Sequence, residues 1–404
     1  MNKPLRVVFF ADSFTEINGV AMTSQRLVGY AKENGYPFLC VYAGRKTETA
    51  QDGSVTYLSL KRSAARIKMD EDLAYDPFFQ RHANRVLREI VKFQPDVLHL
   101  TGLNDVSITG AYMAWKLNIP SVGSWHTNLH EFAAHRLRRM FSFLPASFIS
   151  GISRFTEKRI LDGAILYYRM PKVVLAPNRE LLDTLVKDKS RKTFLMTRGV
   201  DTEFFSPAKR TVNDGVFRFG FVGRLRPEKK VRVLVDLEKE LIKAGKTNFK
   251  FLIVGEGSER EFLEKNMRTA EFTNFLDGER LSEAYANMDV FVFPSETETF
   301  GNVVQEANAS GVPAIVTNLG GPKFIVRHNE TGFIAESFED FVKFSLALMN
   351  DSERLKKMKP ASREFALSRS WNSVFETIYR AYDESIKVQR EEELNLKAAA
   401  ASEK

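Results

Sequence analysis

Two acids and two cations carry the clearest chemical signal in the chain. Glu298 and Glu306 lie eight positions apart in FVFPSETETFGNVVQEANASGVPAIVT, Phe291–Thr317. The spacing predicts a buried strand ending at Pro294, a polar loop, and a helix starting near Gly301 or Asn302. Backbone N–H groups at a helix start lack intrahelical partners and sit at the positive end of the dipole, so they suit a phosphate. Gly301 removes the Cβ that would block close approach. A carboxylate beside a diphosphate would repel it, so the sensible use of Glu298 and Glu306 is to accept hydrogen bonds from the neutral hydroxyls of a sugar or a ribose. Taken singly, each acid reads first as a first-turn carboxylate that stabilises the helix dipole by ~0.3–1 kcal/mol.

Arg224 and Lys229 stand five apart in FVGRLRPEKK, just past a predicted buried strand. Two cations at the carboxyl end of a strand can clamp a diphosphate, arginine as a fork and lysine as a point charge. A solvated basic turn is the plainer reading, and Arg226 and Lys230 are read as solvent-facing. In the first half, Asn18-Gly19-Val20 follows the opening strand, where the chain turns or its backbone approaches a ligand. His126, in SVGSWHTN, lies just beyond another strand, where functional groups gather in doubly wound sheets. Alone it reads first as a structural histidine, and His99 in DVLHLTG reads as core. Met69-Asp70-Glu71-Asp72 has the composition of a divalent-cation site but reads as a solvated turn.

These residues need a scaffold, and the chain supplies one by alternating short β-rich runs with longer amphipathic stretches, the pattern of parallel α/β sheets. Strands are predicted at 5–10, 38–42, 97–100, 121–124, 173–176 and 193–196, then at 217–222, 249–254, 290–293, 314–317 and 332–334. Helices are predicted at 231–244, 259–267 and 281–287. A strand, glycine-bearing loop and helix open the chain at Leu5 and recur from Phe217, so two doubly wound domains are expected with a polar seam between Asp201 and Asn213. The expected divisions are residues 1–200, 201–370 and a last helix, 371–388, returning to the first domain. The tail 389–404 is expected to be frayed.

The composition restricts function without choosing it. The 404 residues carry 59 Lys and Arg against 51 Asp and Glu, a net charge of +8, with 44% hydrophobic residues. That is globular, and the modest surplus admits anionic partners. A single cysteine, Cys40, excludes an internal disulfide framework and a thiolate zinc cluster. With no signal-peptide core at the start and no run of ~18 apolar residues, a cytoplasmic, reducing-compartment protein is expected.

Taken together, the segments resemble the family 4 glycosyltransferases of the GT-B class. Glu298 and Glu306 match that family's E-x7-E motif, and Arg224 and Lys229 match its G-R-L-x-x-E-K loop. RGVDTEFF at 198–205 is similar to its N-G-V-D-x-x-x-F junction, and Asn18-Gly19-Val20, His126, VGEGSERE and DVFVFPS complete the order. Lys230, Arg198 and Asn308 depart from it, standing where glycine, asparagine and methionine are usual. The resemblance implies two Rossmann-like domains facing a central cleft, and retaining transfer of a mannose- or glucose-type hexose from a nucleoside diphosphate sugar. It implies that Arg224 and Lys229 neutralise the departing diphosphate, with backbone amides around Phe300-Gly301 and near Asn18-Gly19. Glu298 would hold hydroxyls of the donor sugar, Glu306 the ribose, and His126 a group near the anomeric centre. No metal or other cofactor is called for, because Arg, Lys and helix dipoles meet the phosphate charge.

The acceptor is expected to be a glycan, a lipid or a lipid-linked saccharide. Residues 134–159 interleave Arg136, Arg138, Arg139 and Arg154 with Met140, Phe141, Phe143 and Phe148, a surface suited to peripheral association with anionic lipid. The same aromatics read equally as core. No nucleic-acid module is present in the sequence. A nucleotide-sugar epimerase, a phosphorylase or a non-catalytic adaptor would share the architecture, but the joint presence of Arg224, Lys229, Glu298 and Glu306 favours transfer.

Overall fold

The computed structural model describes residues 3–16, 18–68, 74–126, 159–186 and 192–402. The acidic run at 69–72 and the basic aromatic stretch at 134–159, apart from Arg159, lie outside the described residues. The chain forms two compact units. Unit 1 takes residues 1–197 and 374–404, and unit 2 takes 198–373. The polar run 201–213, expected as the seam, lies within unit 2.

Unit 1 is built on an eight-stranded sheet in the order β10-β9-β8-β7-β1-β2-β4-β3. In chain order these are β1 (Val7–Ala11), β2 (Phe38–Gly44), β3 (Glu48–Asp52) and β4 (Val55–Lys61), then, after a small ribbon of β5 (Ile67–Lys68) and β6 (Ala74–Tyr75), β7 (Val97–Leu100), β8 (Ser121–Ser124), β9 (Val173–Ala176) and β10 (Lys192–Leu195). All pairings in this sheet are parallel except β3 with β4. β1, VVFFA, is buried on both faces, as a central parallel strand with helices above and below must be. β3, ETAQD, is exposed throughout and joins β4 through Gly53 (φ +60°) and Ser54, a charged edge of the kind that blunts strand addition. One face packs Val8, Phe10, Leu98 and Leu100 beneath the helices Ala83–Phe93 and Asp105–Leu117.

Unit 2 holds a six-stranded parallel sheet ordered β13-β12-β11-β14-β15-β16. Its strands are β11 (Phe217–Val222), β12 (Phe249–Val254), β13 (Ala270–Thr273), β14 (Val290–Phe293), β15 (Ala314–Thr317) and β16 (Gly332–Ala335). Phe219, Phe221, Phe251, Phe291 and Phe293 fill its interior in stacked contacts. In such sheets the strand order reverses at one point, and the crevice there receives ligand. That point lies between β1 and β7 in unit 1 and between β11 and β14 in unit 2.

The last helix, Trp371–Ser402, runs beyond its expected end through the stretch read as frayed. Its first half docks by Phe375 on Tyr30, Tyr379 on Tyr36, and Tyr382, whose hydroxyl meets His99 Nδ1 at 2.7 Å. Beyond it, Gln389 bonds Asn118 at 2.8 Å, and Glu384 and Glu392 pair with Lys192 and Lys172. Docking removes the cost of nucleation, so the Glu, Leu, Lys and Ala of the tail, all strong helix formers, extend the helix although few are buried.

Candidate functional site

In unit 2 the loops after β11 and β14 meet at the strand-order reversal, and they carry Arg224, Lys229, Glu298, Phe300 and Gly301, with Glu306 in the helix that follows. β11 ends at Val222, and the loop 223–225 is pinned by its neighbour after β12. Leu225 N donates to Glu256 O at 2.8 Å and Glu259 N donates to Leu225 O at 2.9 Å. Gly255 is at φ +132°, and a Cβ there would strike the Gly223 carbonyl, which is why glycine follows Val254 in VGEGSERE. With Leu225 and Val231 fully buried as anchors, Arg224 and Lys229 are left half-buried on the loop between them. A short 3-10 turn, Pro227–Lys229, presents Lys229. Lys230 closes it at φ +54°, a left-handed conformation that costs a non-glycine residue roughly 1–2 kcal/mol and that explains why glycine is usual there.

Lys229 Nζ is ion-paired with Glu298 Oε1, so the cation of one loop meets the acid of the other. Lys230 lies 3.4 Å from Glu296. The Glu298 carbonyl accepts from Gly321 N at 2.6 Å, which fixes the loop from the β15 side. Phe300 is buried, and Gly301 takes φ +96° with Pro322 3.0 Å from where its Cβ would stand. The helix Asn302–Ala309 starts there with no capping side chain and no acid in its first turn. Its opening amides are therefore set for an anion from outside the helix.

Glu306, one turn in, accepts from the Tyr285 hydroxyl at 2.8 Å. Tyr285 is wholly buried, and burial first, then the neighbouring Glu306 carboxylate, push its phenol well above the ordinary range. The phenol therefore stays a donor, and it leaves the rest of the carboxylate for other partners. The tyrosine ring packs edge-on against Phe205 at 5.5 Å. Arg363 holds the junction by donating to the carbonyls of Phe205 at 2.7 Å, Thr202 at 2.8 Å and Ala309 at 2.5 Å. The RGVDTEFF segment thus forms the wall behind the Tyr285–Glu306 pair. Tyr285 escaped the sequence reading; the clue was a tyrosine on the inward side of a helix just before a buried strand, where its hydroxyl needs a partner. Arg198, in the same segment, is buried, and burial pushes its pKa down to about 10; its carbonyl accepts from Gln305 Nε2 at 3.0 Å.

In unit 1 the expected residues lie on separate loops. Asn18 is the N-cap of the helix Gly19–Glu33, its Oδ1 accepting from Val20 N and Ala21 N at 3.0 and 2.9 Å, and its Nδ2 donating to Ser13. His126 follows β8 and is buried at 6% exposure, next to Trp125, which stacks on Tyr168 at 4.8 Å. β7 and β1 order the carboxyl ends so that the loop after β8 is two strands from that after β1. His99 is core: Tyr382 and Ser124 take its two ring nitrogens, and burial drives its pKa down to about 3.

A feature that sequence reasoning missed lies at the reversal point of unit 1. Asp12, just past β1, is buried and accepts from Asn104 N at 3.0 Å and Ser107 N at 2.8 Å. It supplies, from another loop, the cap that the side chain of Asn104 does not give to the helix Asp105–Leu117. Burial raises its pKa to about 6, against those hydrogen bonds. Asp105 beside it is bridged by Arg62 at 2.7 and 2.8 Å. Among the described residues no group of acids, histidines and cysteine is arranged to hold a metal ion, and no helix is long and apolar enough to cross a membrane.

Similarity to known proteins extends over most of the chain. Residues 17–204 match the family model described as Glycosyltransferase Family 4, and residues 203–365 match the one described as Glycosyl transferases group 1. A GDP-mannose-dependent alpha-mannosyltransferase of Corynebacterium glutamicum is 28% identical over 396 residues, covering 95% of this chain and 90% of its own. Sucrose-phosphate synthase from Thermosynechococcus elongatus superposes with a TM-score of 0.71 at 16% identity, covering 95% of this chain and 99% of its own. Anabaena HepE in complex with UDP-glucose superposes at 0.66 and 15% identity, covering 94% and 100%.

Proposed function

Because the chain belongs to the family 4, group 1 glycosyltransferases and has their GT-B fold, we propose that it moves a mannose-type hexose from GDP-mannose, with retention, to a lipid or lipid-linked acceptor. Nucleotide-sugar-dependent hexosyl transfer follows from the family itself. The choice of GDP-mannose rests on the near full-length similarity to an enzyme of that donor.

The observation that carries the site is the meeting of the Lys229 and Glu298 loops beside an uncapped helix start. In the proposed ground state, Lys229 leaves Glu298 for the diphosphate and Glu298 turns to the hydroxyls of the sugar. Arg224 and the amides at Phe300-Gly301 take the remaining phosphate oxygens. Glu306, steadied by Tyr285, accepts from the ribose. In unit 1, the amides of the Asn18-Gly19 turn and the imidazole of His126 are assigned to the diphosphate and to a sugar hydroxyl. As the glycosidic bond to phosphate breaks, positive charge grows on the sugar and negative charge on the leaving group. Fixed cations beside that group then stabilise the transition state more than the ground state. The phosphate charge is met by side chains and amides, so turnover is expected to survive EDTA.

The test is a panel of GDP-, UDP- and ADP-sugars read by thermal shift, with transfer then assayed on the best donor. At ~100 times its dissociation constant the true donor adds ~2.7 kcal/mol and raises Tm. GDP-mannose is expected to stand apart, and the product to be the α-anomer. A panel with no shift removes the donor assignment, and a β-linked product removes retention.

A further inference from the structure

We propose that the outer face of three neighbouring helical segments of unit 1 is a docking surface for an anionic lipid bilayer. The segments are the helix Ala83–Phe93, the helix Asp105–Leu117 and the helix at 159–168. They lie side by side over one face of the sheet: Gln80, in the turn leading into the first, donates to Thr109 of the second at 3.3 Å, and Tyr167 of the third donates to the Ser107 carbonyl at 3.4 Å.

The middle helix presents an unusual stripe. Its inner residues, Val106, Ala111, Met113 and Ala114, are buried in the core, as they should be. Its outward residues at i, i+4 and i+7 are Ile108, Tyr112 and Trp115, exposed by 36, 39 and 74%. A surface helix of a water-soluble domain ordinarily turns its charged side outward. Tyr112 and Trp115 lie 6.0 Å apart, and the Lys116 ammonium sits 5.6 Å over the tyrosine ring. The third segment continues the apolar patch with Leu166 at 63% and, just past its end, Met170 at 50% exposure.

Charge decides the occupant. Five of the six exposed ionisable residues on these segments are cations: Arg88 and Lys92 on the first helix, Lys116 on the second, and Arg159 and Arg169 along the third. Among the described residues of these helices, Asp162 is the exposed acid that opposes them. Trp and Tyr are the side chains that settle at a membrane–water interface, and each Lys or Arg near an anionic leaflet adds roughly fivefold to the partition. A contact between two copies of the chain would press this cationic rim against itself. A nucleic acid would leave the Leu166–Met170 and Ile108–Trp115 patches unused. A bilayer uses both the rim and the patch. The surface deepens the lipid-acceptor reading, since it would bring the enzyme to a substrate that does not leave the membrane, yet it can be tested without that reading.

The experiment is co-sedimentation of the full-length protein with vesicles of phosphatidylcholine containing about one third phosphatidylglycerol, at low and high salt. Wild type is expected to bind the mixed vesicles, to release at high salt, and to bind pure phosphatidylcholine far less. Trp115 emission should move to the blue on binding, and W115F should lose that change. The double variant Tyr112→Ala, Trp115→Ala should bind on the order of a hundredfold less, and Lys116→Gln with Arg88→Gln roughly 25-fold less. Transfer to a water-soluble acceptor should be unchanged in all of them, which separates loss of docking from loss of fold or of catalysis. Wild-type protein that stays in the supernatant at low salt overturns the proposal, as do variants that sediment like wild type. A Trp115-dependent dimer in light scattering, or a Trp115-dependent preference for RNA over vesicles, also overturns it by assigning the surface to another partner. If vesicles are bound but no donor is turned over, the docking surface stands and the proposed activity falls.

Discussion

Lys229 and Glu298 are ion-paired with each other, so two charges of the proposed site are held in register rather than left to search. Removing a preorganised electrostatic group of this kind lowers turnover by ~10²–10³-fold. Arg224→Ala and Lys229→Ala are therefore expected to lose kcat by that factor while Tm changes little, as the half-buried loop side chains carry little packing. A loss confined to KM, with kcat intact, would reassign them to uniform donor binding. A second residue-level prediction concerns pH. Asp12 has its folded pKa raised from 3.8 to about 6, so between those values the native state holds the extra proton and stability falls as pH rises. His99 has its folded pKa lowered from 6.5 to about 3, so over the same interval the unfolded state holds the extra proton and stability rises with pH. The two slopes oppose each other. Asp12→Asn should uncover that of His99, a gain of up to ~1.4 kcal/mol per pH unit between pH 4 and 6. Chemical denaturation at pH 4, 5 and 6 measures it, and a variant whose slope equals that of wild type would show that Asp12 ionises normally. Asp12 was invisible in the sequence, because its burial comes from a loop some ninety residues away, while the two cations and two acids of unit 2 were legible because each follows a strand at a fixed distance.

The elements divide in the same way. β7, β8, β9, β11, β12, β14 and β15 were legible residue for residue, since a short apolar run between polar stretches has few other uses in a parallel sheet. β3 and β13 were not. ETAQD is exposed along its length and AEFT is a partly exposed edge, so neither has the apolar pattern by which a strand is recognised. The extent of the last helix was misread for a related reason: its partners Asn118, Lys172 and Lys192 are remote in sequence. At this scale the contact that ties the helix to the sheet is Tyr382 on His99, both buried. Tyr382→Phe leaves a buried ring nitrogen without its partner and should cost about 1–3 kcal/mol. A midpoint in urea equal to that of wild type would mean that water or a shifted histidine replaces the hydroxyl.

At the scale of the molecule, Arg224, Lys229, Glu298 and Glu306, to which the proposed function gives most of the donor, lie in unit 2, which has its own core and its own sheet. Residues 198–373 expressed alone are expected to fold cooperatively and to bind GDP, though not to transfer sugar. A fragment that folds yet fails to bind GDP would show that unit 1 supplies the affinity. Unit 1 is arranged differently, because its chain is discontinuous: the first 197 residues must wait for those after 374. On the ribosome, the nascent first unit would stand with Tyr30, Tyr36 and His99 uncovered throughout translation of residues 198–373. Unit 2 would already be complete when the helix that covers them emerged. Premature termination just after residue 373 would thus release a finished second unit attached to an unfinished, aggregation-prone first one. Chaperone demand in the cell should fall on that interval of synthesis.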